Sequence, residues 1–80
     1  MKRIVLAGAS GSIGQQTIDV VLHHRDAFTI VAVSVGHNIA ALHGIIAQLS
    51  DLRMVCVAEQ SDAQMLQQTY PSLVFCWGEE

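Results

Sequence analysis

Gly8-Ala9-Ser10-Gly11-Ser12-Ile13-Gly14, set directly after Lys2-Arg3-Ile4-Val5-Leu6-Ala7, decides how the rest of the chain reads. A short apolar run ends in a loop with glycine at every third position, and an amphipathic segment opens after it. That arrangement brings backbone N–H groups up to a phosphate at a helix N-terminus. A side chain at Gly8, Gly11 or Gly14 would block a tight turn, a close approach to pyrophosphate, or close packing of helix on strand. The spacing is G-x-x-G-x-x-G rather than G-x-G-x-x-G, so it points to a dinucleotide while leaving open an ordinary glycine-rich β-to-α turn.

Outward from the loop, hydrophobic periodicity predicts regular alternation. Ile4 to Ala7 reads as a buried parallel strand. Ser12 to about His24 reads as a helix with Ile13, Thr17, Val20, Val21 and His24 on its inner face and Ser10 or Ser12 as cap. Phe28 to Val35 is a second strand. Ile39 to Leu49 is a second helix, capped by Asn38, with Ile39, Leu42, Ile45, Ile46 and Leu49 inward. Met54 to Ala58, Ser61 to Gln68 and Leu73 to Trp77 follow as strand, helix and strand, with Ser61 and Gln64 in capping-box spacing and Pro71 in the last loop. This β-α-β-α-β-α-β order predicts an α/β fold with a Rossmann-like parallel sheet. Residues 1–80 read as one partial domain, the N-terminal portion of a larger dinucleotide-binding domain, because a parallel sheet normally has both faces covered.

Composition narrows the function classes. The chain has 80 residues, 51% of them hydrophobic, and a formal net charge of −3. Lys2, Arg3, Arg25 and Arg53 are scattered, so no basic stripe suggests nucleic acid or an anionic membrane. The apolar run before the glycines is too short for a signal peptide or membrane span, and a cytoplasmic protein is expected. Cys56 and Cys76 lack C-x-x-C spacing and read as buried reduced thiols. His23 and His24 close the first helix, Asp19 pairs with His23 on the surface, His43 is structural, and Trp77 is core or interface. No nucleophile–base pair or carboxylate dyad is visible.

The second strand ends Ser34-Val35-Gly36-His37-Asn38, without an acid. In a dinucleotide site an Asp or Glu there binds the ribose 2′-hydroxyl of NAD and repels the 2′-phosphate of NADP. Its absence tips the reading toward NADP. Ser34, His37 and Asn38 can donate hydrogen bonds, and Asn38 leads a helix N-terminus that favours anions. A plain β-to-α turn is the alternative.

The loop followed by Thr17-Ile18-Asp19-Val20-Val21 resembles the opening of the 1-deoxy-D-xylulose 5-phosphate reductoisomerase family, which reads G-S-T-G-S-I-G and then T-L-D-V-V/I. Ile30-Val31-Ala32-Val33 and Gly36-His37-Asn38 are similar to its next strand and G-x-N turn. Asp51 to Ala58 falls where the family has P-x-x-V-A-V-x-D, and Gly78-Glu79-Glu80 where it has V-x-x-G-x-E-G. The resemblance implies an enzyme that converts 1-deoxy-D-xylulose 5-phosphate to 2-C-methyl-D-erythritol 4-phosphate by rearrangement and NADPH reduction, in non-mevalonate isoprenoid synthesis. It implies a phosphosugar substrate, a divalent cation (Mg or Mn) and a homodimer. Carried over by position, Gly8, Ser10, Gly11, Ser12 and Ile13 would hold the NADPH pyrophosphate, and Gly36, His37 and Asn38 would face the 2′-phosphate. Ser10 stands where the family has Thr and keeps the hydroxyl; His37 stands where Lys or Arg is common. Catalytic, metal and substrate residues would lie in later sequence. Another G-x-x-G-x-x-G oxidoreductase, such as a semialdehyde dehydrogenase, or a non-catalytic nucleotide-binding module are the alternatives.

Overall fold

Parallel pairing organises everything in the computed structural model, which describes residues 2–78. Seven elements alternate: β1 (Lys2–Leu6), α1 (Ser12–His23), β2 (Phe28–Gly36), α2 (Ile39–Gln48), β3 (Met54–Val57), α3 (Gln60–Thr69) and β4 (Val74–Trp77). The strands lie side by side in the order β1-β2-β3-β4, and each pair is parallel. The expected Rossmann-like α/β sheet is therefore present. Element ends differ by a residue or two from the sequence reading; Glu79 and Glu80 lie outside the described residues.

Strands taken in sequence order by right-handed crossovers put every connecting helix on the same side of the sheet. Two adjacent registers display the result. Leu6, Val33, Val55 and Phe75 form one row across the four strands, and Val5, Ala32, Met54 and Val74 form the next. Successive residues face opposite sides of a sheet. In the first row Val55 is 0% exposed; in the second Val5 is 75% exposed, and Met54 and Val74 are exposed with it. This corrects the reading of β1 as a buried strand. It is an edge strand in this sheet, and its Val5 side has no helix over it.

The core lies between the sheet and α1, α2 and α3, and includes Ile18, Ile30, Leu42, Ile45, Val55, Val57 and Leu66. The inner face of α2 is as expected, and Asn38 caps it by accepting from the Ala41 N–H at 3.4 Å. The face of α1 is not. Gly14, Ile18 and Val21 are buried, whereas Ile13, Val20 and His24 are exposed. Its N-cap is Gly11 rather than a serine, with no side-chain cap bond. In α3 the N-cap is Glu59 and the helix begins before Ser61, so the expected capping box does not form. Ala63 N–H already bonds to the Glu59 carbonyl at 3.2 Å, which places Ser61 inside the first turn.

Side chains close the remaining joints. Gln67 donates to the Leu73 carbonyl at 2.6 Å and accepts from the Phe75 N–H at 3.1 Å, fixing the turn around Pro71 to the start of β4. His43 and the Tyr70 hydroxyl share a 2.5 Å hydrogen bond that ties α2 to the end of α3, a structural role as expected. The His23 ring donates to the Asp19 backbone carbonyl at 2.7 Å, not to its carboxylate. Cys56 and Cys76 are cross-strand neighbours and half-buried rather than buried. Trp77 is half-exposed and not core.

Truncating Leu42, fully buried under α2, to alanine is expected to destabilise the chain by about 3 kcal/mol, while Val74→Ala on the open face costs less than about 1 kcal/mol. Urea unfolding followed by circular dichroism distinguishes them.

Candidate functional site

Ligands of open α/β sheets bind outside the carboxyl ends of the strands. The sequence-derived candidates all lie there. Gly8, Ser10, Gly11, Ser12 and Ile13 run from β1 into α1, and Gly36, His37 and Asn38 run from β2 into α2. At the opposite end a depression edged by Arg25, Thr29 and Asp51 is closed by a 2.9 Å bond from the Thr29 hydroxyl to the Asp51 carboxylate.

The glycine loop is held by backbone and side chain together. Gly8 has φ +65°, a left-handed conformation that costs a side chain roughly 1–2 kcal/mol. That geometry turns the Gly8 N–H onto the Ser34 hydroxyl oxygen at 3.1 Å, and the Ala9 N–H bonds to the Ser34 carbonyl at 2.8 Å. Gly14 sits against the loop from below: a Cβ there would fall 2.5 Å from the Gly8 carbonyl oxygen and 2.7 Å from that of Ala9. Gln15 folds back to donate to the Ala9 carbonyl at 3.2 Å.

Gly11 differs from both. A Cβ there would meet only the Gly8 carbonyl oxygen, at an ordinary 3.5 Å, and its φ of −76° suits any residue. The fold does not demand glycine at this position, where it serves as the N-cap of α1. Ser12 and Ile13 follow as the first helical residues, whose N–H groups have no carbonyl partner within their own helix. Together with the helix dipole this makes the mouth of α1 suited to an anion. Ile13 is 78% exposed and takes no part in the core.

The neighbouring turn is set by Gly36, with φ +59°. Asn38 spends its carbonyl oxygen on the α2 cap. His37 projects into solvent, with Nδ1 4.0 Å from a carboxylate oxygen of Glu59. Ser34 and Glu59 stand beside these turns, Glu59 without any expectation from the sequence. Ser34, expected to reach a ribose, is buried and turned to the loop instead; its position at the end of a strand beside a glycine loop was the available signal. Glu59 had no signal, because strand register alone brings it next to His37. Among the described residues no group of three or more His, Cys, Asp or Glu side chains comes together, so a divalent cation has no donor set here. Among the described residues no helix is long and apolar enough to cross a membrane.

Comparison with known proteins agrees along the whole chain. The family profile described as 1-deoxy-D-xylulose 5-phosphate reductoisomerase matches residues 4–79. The chain is 43% identical over 81 residues to the protein of that name from Geobacillus kaustophilus, covering 100% of this chain and 21% of the relative. It is 41% identical over 78 residues to that of Lysinibacillus sphaericus, covering 98% of this chain and 20% of the relative. The chain thus spans about a fifth of the length of these curated relatives. In fold it is similar to the Zymomonas mobilis reductoisomerase solved in complex with NADPH, with a TM-score of 0.80 and 22% identity over 96% of this chain and 21% of that one.

Gly14→Ala is expected to destabilise the chain by about 2 kcal/mol, since the added methyl meets two backbone oxygens rather than a flexible side chain. Ser34→Ala, which leaves the Gly8 N–H without its acceptor, costs about 1 kcal/mol. Thermal melts of the two variants check both values.

Proposed function

The chain belongs to the 1-deoxy-D-xylulose 5-phosphate reductoisomerase family, and on that premise we propose that it is the N-terminal NADPH-binding part of such an enzyme. The observation that carries the reading is the built loop beside an acid-free second strand. The loop's own geometry accounts for Gly8 and Gly14, and the open space at Gly11 supports the close approach of a ligand there. The cofactor pyrophosphate lies over Gly11, Ser12 and Ile13, with Gly8 shaping the loop and the Ser10 hydroxyl as a further donor. The adenosine ribose and its 2′-phosphate lie toward Gly36, His37 and Asn38. When bound, NADPH supplies the hydride; this chain's residues bind and orient it.

The complete enzyme would convert 1-deoxy-D-xylulose 5-phosphate to 2-C-methyl-D-erythritol 4-phosphate, in isoprenoid synthesis. Catalytic groups, phosphosugar contacts and the ligands of the divalent cation belong to sequence other than these 80 residues, in keeping with the share of the relatives that the chain spans. The family reading further makes the enzyme a cytoplasmic homodimer. The scatter of its four cationic residues supports no nucleic-acid partner.

Isothermal titration of the chain is expected to give tighter binding of NADPH than of NADH; equal affinity or a preference for NADH would overturn the cofactor assignment. Gly11→Ala is expected to keep the melting temperature and weaken NADPH binding by about tenfold, because only the ligand needs that space. The chain alone, with NADPH and Mg or Mn, is expected to give no reduction of 1-deoxy-D-xylulose 5-phosphate; measurable turnover would place catalytic groups within it.

A further inference from the structure

The acid that the second strand lacks is supplied by the third. We infer that Glu59 is a specificity-determining residue at the ribose end of the site, opposing the 2′-phosphate and moderating the choice of NADPH over NADH. The inference rests on the nucleotide reading above and goes beyond it.

Backbone bonds place the residue. The register of β2 on β3 shifts between Ser34 and Gly36, so Gly36 lies opposite Val57. The Ala58 N–H then donates to the Gly36 carbonyl at 3.1 Å, locking the end of β3 to the end of β2. One residue further on, Glu59 stands beside His37. On the other side the Gly78 N–H bonds to the Val57 carbonyl at 3.2 Å. An open groove results, lined by Gly36, His37, Val57, Ala58, Glu59 and Gly78.

The direction of the Glu59 side chain is the second observation. Glu59 is the N-cap of α3, yet its carboxylate makes no capping bond to that helix. It approaches His37 instead, at 4.0 Å. His37 is the candidate hydrogen-bond donor to the 2′-phosphate, and Glu59 competes with the phosphate for it. A carboxylate at this point also repels the phosphate directly and accepts from a free ribose 2′-hydroxyl. Both effects favour the unphosphorylated ribose. Both groups are exposed, so solvent and salt limit the size of the effect.

The test is titration of the full chain with adenosine 2′,5′-bisphosphate and with 5′-AMP, for the parent and for Glu59→Gln. The substitution is nearly isosteric at an exposed position. The ratio of bisphosphate to monophosphate affinity is expected to rise about three- to fivefold in E59Q at low salt. The gain is expected to shrink at high ionic strength. Both ligands binding with a ratio that is unchanged, or that falls, would overturn the role of Glu59 and leave the nucleotide reading standing. Binding of neither ligand by the parent would overturn the nucleotide reading and this inference with it.

Discussion

The contact on which this structure turns is that between Gly14 and the carbonyls of Gly8 and Ala9. The first turn of α1 lies directly on the loop that precedes it, at a distance no side chain permits. That contact fixes the rotation of the helix. With Gly14 inward, Ile18 and Val21 follow at helical spacing into the core, and Ile13 and Val20 are carried out to solvent. Ser34 completes the constraint from the other side, holding Gly8 and Ala9 to the end of β2. Loop, helix and strand therefore form one unit, and the mouth of α1 opens beside the turn at Gly36.

The sequential strand order has a cost in coverage. Three right-handed crossovers in one direction stack all the helices on one face. The covered face is well packed from Leu6 to Phe75, while Val5, Met54 and Val74 remain open on the other. Burying a valine side chain contributes on the order of 1.5 kcal/mol or more, so this open row withholds a considerable part of what the sequence could bury. Such a row marks surface that a covering element would stabilise.

The carboxyl edge of the sheet also combines elements that are distant in sequence. The loop presents helix-opening N–H groups, the turn after β2 presents His37, and the end of β3 presents Glu59. On the proposed cofactor placement, attraction for an anion and opposition to one meet at the same groove. Specificity there is a difference between two affinities rather than the strength of one contact.

The sequence by itself determined the element order, the parallel α/β class and the positions of the glycine loop and the turn at Gly36. Those follow from local physics: apolar period, glycine where φ is positive, and an asparagine that caps the helix it precedes. It also carried the family, through the loop joined to Thr17-Ile18-Asp19-Val20-Val21. Only the tertiary structure decided which side of α1 faces inward, because two apolar stripes were available and the Gly14 contact selected one. Only the register of β3 on β2 brought Glu59 to His37, since no local pattern links residues so far apart. The exposure of Val5 was equally beyond a strand-by-strand reading: an apolar run records what a strand is able to bury, and strand order decides what covers it.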